Sequence, residues 1–196
     1  MKYIKLDGSY KVGDVAYKHK IYVDESVTVD VKNYENFALF GYLSNNSVIS
    51  NVIFENIDVN VTALQPQRIS VIAYRNNGTI TDCEIINSSV TLPSKSETDG
   101  AGTSDAYYGI AGAVADNRAA VRNVKVKNFT LSLSSTSSND YIAGLVGQNR
   151  GTVEKSSVSD LKITVGGINH YVGGLVGYNV STVTDCSVNM AGDNNV

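Results

Sequence analysis

Short runs in which apolar and polar residues alternate recur along the whole chain. Within each run, every second side chain is apolar, and the intervening residues are Asn, Asp, Lys, Ser or Thr. Because successive side chains of a β-strand point to opposite faces, this period of two predicts short strands with one buried face each. The pattern has no helical periodicity, so the predicted fold class is all-β.

The alternating runs align into columns at a nearly fixed distance. The first apolar residue after a turn is β-branched in every copy, at spacings of 31, 41, 32 and 30 residues. The aligned columns are Ile49, Ile80, Val121, Val153 and Val183, then Phe54, Ile85, Val126, Val158 and Val188, and then Val59, Val90, Leu131 and Ile163. A period of this size is typical of arrays whose units bury their apolar faces by stacking.

A repeat of roughly 30 residues with two or three short strands predicts one rung of a parallel β-helix, in which equivalent residues stack. The solenoid is predicted to have about five to six rungs and to be right-handed, because parallel crossover connections are overwhelmingly right-handed. A β-sandwich of short antiparallel strands is the alternative, but it does not explain the aligned columns.

Two segments carry the repeat in its fullest form. Residues 143–153 read AGLVGQNRGTV, and residues 173–183 read GGLVGYNVSTV. Both closely resemble the GLUG repeat of bacterial surface proteins, and degenerate copies begin at Ile110, Val71 and Ala38. The resemblance implies a β-helical stalk in a secreted or surface-anchored bacterial protein, as in adhesin-like proteins, and no catalytic residue belongs to the repeat.

The chain divides into two predicted parts. Val27, Val29 and Val31 repeat the alternation of the later strands, so residues 1–36 are predicted to form a partial N-terminal rung with cap strands. Residues 37–196 are predicted to hold the GLUG-like repeats. The chain is expected to be part of a longer protein, and its last repeat to be uncovered, which favours fraying or end-to-end association there.

One insertion accounts for the longest spacing and provides the candidate ligand site. It covers residues 93–108, and insertions in a solenoid form loops that project from one side. The candidate ligand-binding residues are Glu97, Asp99, Asp105, Tyr107 and Tyr108, whose carboxylates and rings are suited to a glycan or a cation. The acidic spacing does not match an EF-hand. The alternative is a solvated loop without a ligand.

Two columns contain residues that elsewhere bind metals or ligands. Cys83 and Cys186 share a column three rungs apart, so they are predicted to lie about 14 Å from each other. This distance is too long for a disulfide, and both residues are predicted to be buried thiols. The second column holds Asn76, Asn117, Asn149 and Asn179, with Leu43 in the fifth copy. It predicts a ladder of stacked amides, and a cation or sugar contact is the functional alternative.

Enzymes on β-helices place acids or bases on neighbouring rungs of one outer face, so the outward column beside the thiols is the candidate for catalytic residues. It contains Asn51, Asp82, Asn123, Lys155 and Asp185, and it never pairs two carboxylates on adjacent rungs, as sugar hydrolysis requires. Lys155 is predicted to form an ion pair with Asp185. His170 is expected to be a surface or turn residue.

Composition narrows the expected partners. The net charge is −3 without a run of like charge, so neither nucleic acid nor an anionic membrane is an expected partner. No segment approaches the length of an apolar membrane span, and no metal site or cofactor is predicted. We expect a non-catalytic extracellular stalk or adhesive module of the bacterial cell surface, with glycans or host surface proteins as ligands. A fragment of a polysaccharide-degrading β-helix enzyme and a pure spacer are the alternatives.

Overall fold

The computed structural model describes residues 5–7, 19–31, 36–61, 68–92, 109–134, 140–166 and 170–190. All secondary structure in these segments is β-strand, which confirms the predicted all-β class. Most strands pair in parallel with their equivalents in the next repeat, and this confirms the predicted solenoid.

Four parallel sheets run along the solenoid. The seven-stranded long sheet contains β1 (Lys5–Asp7), β2 (His19–Val31), β6 (Val52–Val61), β10 (Glu84–Leu92), β14 (Lys125–Leu133), β18 (Ser157–Val165) and β22 (Ser187–Met190), in that order. β1 is antiparallel to β2, and β2 is parallel to β6, where Val27, Val29 and Val31 pair with Ile57, Val59 and Val61.

The other three sheets have five short strands each. The first short sheet contains β3 (Asn36–Phe37), β7 (Arg68–Ile69), β11 (Gly109–Ala111), β15 (Tyr141–Ala143) and β19 (Tyr171–Gly173). The second contains β4 (Tyr42–Leu43), β8 (Ala73–Asn76), β12 (Val114–Asn117), β16 (Val146–Asn149) and β20 (Val176–Asn179). The third contains β5 (Val48–Ser50), β9 (Thr79–Thr81), β13 (Ala120–Arg122), β17 (Thr152–Glu154) and β21 (Thr182–Thr184).

Five rungs therefore stack along the axis, in agreement with the predicted five to six. Each rung has four strands, whereas the pattern predicted at most three, because the glycine-containing segment bends and forms two strands instead of one. From the second to the fourth rung, length varies only at the corner where the long sheet connects to the first short sheet. The first rung also differs between β4 and β5, where four residues separate the strands instead of two. The segments Arg68–Leu92, Gly109–Leu133 and Tyr141–Val165 are equal in length, and only the connections between them differ.

The predicted columns pair in register. Ile49 pairs with Ile80, Val121 with Val153, and Val153 with Val183. Their side chains point into one continuous core, whose largest fully buried members include Phe54, Phe129 and Leu161. Stacking like residues at successive rungs buries each apolar face against its neighbours, which is the main stabilisation of a solenoid.

The prediction of buried free thiols is confirmed for Cys83 and only in part for Cys186. Cys83 is buried in the core, Cys186 is partly buried, and both are free thiols. Each Sγ lies near the backbone carbonyl two residues earlier, at 3.2 Å from Thr81 and at 3.1 Å from Thr184. Ser156, the equivalent residue of the fourth rung, donates a hydrogen bond to the carbonyl of Glu154 in the same way.

Two columns of polar residues have a left-handed backbone. The first, beside the thiols, is Asn51, Asp82, Asn123, Lys155 and Asp185, and the second is Asn56, Asn87, Asn128 and Asp160. Asn and Asp tolerate a positive φ better than other side chains, so the first column marks the turn before each long strand and the second a bend within it. The predicted ion pair is wrong, since the described residues include no salt bridge between Lys155 and Asp185. The column was selected for its backbone and not for charge.

Lys155 is the exception in its column, which gives a first prediction. Its φ is 51°, a conformation that costs a long side chain more than it costs Asn. We expect Lys155→Asn to raise the free energy of unfolding by about 0.5–1 kcal/mol, measured by urea denaturation. The matched control is Lys162→Asn on the exposed face of β18, where the backbone is extended and Asn should not stabilise the protein.

Candidate ligand-binding site

The predicted ligand-binding loop lies outside the described residues. Glu97, Asp99, Asp105, Tyr107 and Tyr108 all belong to the segment between Leu92, where β10 ends, and Gly109, where β11 begins. Their role stays a prediction.

The asparagine column forms the predicted ladder. Asn76 Nδ2 donates to Asn117 Oδ1 at 2.9 Å, Asn117 Nδ2 to Asn149 Oδ1 at 2.8 Å, and Asn149 Nδ2 to Asn179 Oδ1 at 2.8 Å. Leu43 takes the position of the fifth Asn, in register with Asn76. The first three asparagines are fully buried, and their amide groups form hydrogen bonds to each other and to backbone carbonyls. These amides are therefore not available to a ligand. The structural interpretation is confirmed for these three.

The outer sides of the first and second short sheets face each other and form a notch along the solenoid. The backbones approach so closely that a methyl group at Gly109 would overlap the carbonyl oxygen of Ala115, and one at Gly147 would lie 2.8 Å from the same oxygen. Glycine at these positions allows the backbones of the two sheets to approach each other at the bottom of the notch. The notch, as named here, runs from Arg68 and Arg75 on the second rung to Tyr171 and Tyr178 on the fifth.

Arginines surround one buried carboxylate at one end of the notch. This arginine cluster consists of Arg68, Arg75 and Arg118 around Asp116, whose side chain is 1% exposed. The Nε atoms of Arg75 and Arg118 donate to Asp116 Oδ2 at 3.0 and 3.1 Å, and Arg68 Nε lies 3.6 Å from the same oxygen. The ion pairs around Asp116 hold these side chains in place, because a buried carboxylate without a positively charged partner would be costly.

The arginine cluster carries more positive than negative charge. Burial, followed by repulsion from Arg75, lowers the pKa of Arg68 from its usual range, and Arg118 and Arg150 act in the same direction. Attraction to Asp116 opposes this shift without cancelling it. The second and third rungs therefore present an electropositive region on a chain whose net charge is negative.

Three tyrosines occupy the other end of the notch. This tyrosine cluster contains Tyr141 and Tyr178, whose rings stack with centroids 4.6 Å apart, and Tyr171, which meets both rings edge-on at 5.3 and 5.8 Å. Tyr141 is buried, whereas Tyr171 is 46% exposed. Gln148 connects the two ends, since it pairs in register with Asp116 on one side and with Tyr178 on the other.

His170 is not the surface residue that the sequence suggested. Its side chain is 6% exposed, and its Nδ1 lies 3.3 Å from Oδ2 of the buried Asp140. Its Nε2 lies 3.2 Å from the carbonyl oxygen of Gly166. The imidazole thus connects the starts of two successive rungs, immediately before Tyr141 and Tyr171, and helps to position the tyrosine cluster.

Sequence reasoning missed the notch as a site. The column Tyr42, Arg75, Asp116, Gln148 and Tyr178 directly precedes the asparagine ladder and was not compared across repeats. The available signal was the repeated glycines Gly144, Gly147, Gly174 and Gly177, since glycine allows two backbones to approach closely, but they do not indicate which strands meet. The described residues contain no group of three His, Cys, Asp or Glu side chains placed to hold a metal ion. Within the same residues, no helix is long and apolar enough to cross a membrane.

Comparison with known families agrees with the fold. Residues 168–193 match the family model of the GLUG motif, which confirms the resemblance at the last repeat. Residues 143–153 are aligned with that repeat in the solenoid, since Val146 pairs with Val176 and Asn149 with Asn179. Neither a curated protein nor a solved structure matches the chain. The chain is thus a repeat-type β-solenoid module that carries a GLUG motif.

Proposed function

We propose that this chain is a non-catalytic stalk and adhesive module of an extracellular bacterial surface protein, and that it binds glycans in the notch. The observation that carries the proposal is the tyrosine cluster. A surface with aromatic rings beside polar groups is suited to sugars, which present apolar faces and hydroxyl groups together.

The geometry of the tyrosine cluster supports this function. Tyr141 and Tyr178 hold each other in place by stacking, so little side-chain entropy is lost when a ligand covers them. Tyr171 leaves nearly half of its side chain open to a ligand. Gln148, 7% exposed beside them, provides an amide that both donates and accepts hydrogen bonds.

The stalk part of the proposal rests on the stacking of the rungs. Each rung pairs with its neighbours through four sheets, so the module transmits force along its axis through many parallel backbone hydrogen bonds. A protein that holds a ligand away from a cell surface requires such a rigid element, and the notch runs along its side.

The test is a retention assay with complex polysaccharides and host glycoproteins, scored for bound intact ligand and for newly released sugar ends. We expect retention without new ends. Tyr171→Ala should weaken retention by about tenfold, because an aromatic contact is worth about 1–1.5 kcal/mol and the ring also covers apolar area. The control is Val48→Ala on the first rung, an exposed apolar side chain in the third short sheet and outside the notch.

Each other outcome points to a different function. New sugar ends would replace the proposal with a polysaccharide-degrading enzyme, and the absence of both signals would leave a pure spacer. Retention that survives Tyr171→Ala but is lost on removal of residues 94–104 would move the ligand site to the 93–108 loop.

A further inference from the structure

The arginine cluster has unused hydrogen-bonding capacity as well as unused charge. Arg75 and Arg118 both contact Asp116 through Nε, which leaves their terminal Nη groups directed elsewhere. Across the described segments, these Nη groups donate no hydrogen bond. A guanidinium whose terminal nitrogens are free offers the planar fork that binds carboxylate and sulfate oxygens in pairs.

The arginine cluster has more positive charges than negative ones, so a negatively charged ligand would balance it. One carboxylate faces three guanidinium groups, with that of Arg150 also within electrostatic reach. Asp116 Oδ1 is buried and has no hydrogen-bond partner among the residues that the structure describes. The region therefore combines surplus cationic donors, which are partly exposed, with one carboxylate that is buried, and an anionic group on a ligand would complement the donors.

The position of the arginine cluster narrows the ligand further. Asp116, Gln148 and Tyr178 lie on three successive rungs, in register. Since neighbouring strands are about 4.8 Å apart, the carboxylate and the tyrosine cluster are separated by about 10 Å along the notch. An oligosaccharide spans this distance, with an acidic group at one end and a sugar ring over the tyrosines at the other.

We propose that the notch binds an acidic glycan, whose carboxylate or sulfate group lies against Arg68, Arg75 and Arg118 while an adjoining sugar packs on the tyrosine cluster. This inference rests on the proposed glycan-binding function and gives it a ligand class. General attraction to polyanions does not account for such binding, because the net charge of the chain is −3.

The experiment measures binding affinity by isothermal titration calorimetry, with oligogalacturonate, sulfated dextran and neutral dextran as probes. Preference for oligogalacturonate assigns the site to carboxylates, and preference for sulfated dextran assigns it to sulfate esters. We expect Arg118→Gln to weaken binding of the preferred anion by at least about tenfold, as for the loss of one charge-assisted hydrogen bond. Arg122→Gln is the matched control, since it removes the same charge from the third short sheet, where Arg122 pairs with Glu154, and it should change affinity less than about twofold.

A second variant separates binding from folding. Asp116→Asn removes the charge that competes with the ligand, so binding should become tighter if the variant retains the circular dichroism spectrum of the wild type. A purely structural arginine cluster would show no such gain. Equal anion affinity in the wild type and in Arg118→Gln overturns the inference, as does binding of neutral dextran as tight as that of either polyanion.

The failure of this inference and the failure of the proposed function give different results. If neutral glycans are retained through Tyr171 alone, the adhesive function stands and the acidic ligand is excluded. If the polysaccharide and glycoprotein panel is not retained at all, the adhesive function is wrong. Titration with free glucuronate then decides whether the arginine cluster binds an anion.

Discussion

Replacing Asn117 by Asp is expected to lower the free energy of unfolding by at least about 3 kcal/mol, the cost of an unpaired buried charge. Asn117 is fully buried at the centre of the asparagine ladder. Its Nδ2 donates to Asn149 Oδ1 and lies 3.2 and 3.3 Å from the carbonyl oxygens of Ala119 and Thr152. A carboxylate of the same shape turns these three donor contacts into contacts between oxygens, and it places a negative charge at a fully buried position.

The measurement is the urea midpoint at neutral pH, with the equivalent change at the exposed end of the ladder as control. Asn179→Asp retains the acceptor for Asn149, and its lost donor bond to the carbonyl of Ser181 is replaced by water. It should cost less than about 1 kcal/mol. Protonation of the new carboxyl restores a donor, so the destabilisation in Asn117→Asp should shrink as the pH falls. A midpoint equal to that of the wild type would show that the ladder does not stabilise the fold.

Gly144→Ala is expected to be the second strongly destabilising change. A methyl group at this position would lie 2.8 Å from side-chain carbons of both Val158 and Leu161, and it would overlap the carbonyl oxygen of Gly174 on the next rung. Because the last contact is with backbone, a rotamer change does not relieve it, and the rungs must separate. Overpacking of this kind costs about 1–3 kcal/mol, and we expect the upper half of that range.

Gly166→Ala is the control for this change, in the same rung and with the same added atom. The nearest heavy atom to its new methyl group is 3.7 Å away, an ordinary contact. Its thermal midpoint should stay near that of the wild type or rise, because Ala restricts the unfolded chain. If both variants lost the same stability, the defect would come from the loss of glycine itself and not from close contact between rungs.

Much of the fold was predictable from the sequence because a solenoid repeats its constraints. A single column of branched residues is weak support for a strand, but five aligned copies fix the register, and Val121 pairs with Val153 as the alignment predicted. The buried thiols and the asparagine ladder followed for the same reason. Each was identified from its position in the repeat and not from local propensity.

The notch was not predictable to the same extent, because it depends on how two strands of one rung bend towards each other. Gly109 faces Ala115 across the notch, but nothing in the alternation of apolar residues indicates that these two positions meet. The Arg68–Asp116 contact joins neighbouring rungs and different sheets. Predicting it would require both the register between the rungs and the angle at which one rung bends. The ion pair between Lys155 and Asp185 was wrongly predicted because Lys and Asp suggest charge, whereas the property that the first left-handed column shares is a backbone conformation.

The core also compensates between positions in a way that no single column reveals. Gly144 leaves room for Leu161, and Gly112 lies against Phe129 in the rung before. In the second rung, the equivalent positions are Val71 and Ser88, both buried, so the large and small residues are exchanged. From the second to the fourth rung, a large residue at one of these positions therefore faces a small one at the other, and this is one reason why the repeats look degenerate in sequence yet stack in register.

From the second rung to the fourth, all length variation lies at one corner, which separates the strands that must keep their register from the connections that are free to change. Connections at that corner differ in size without changing the strand register of these three rungs, so insertions there leave the stacked sheets unchanged. The strand ends that carry successive connections are spaced by the rung distance of about 4.8 Å, and one set of strands therefore supports many different arrays of connections. The architecture is suited to rapid diversification of one edge, and for the same reason to the grafting of foreign peptides at defined intervals.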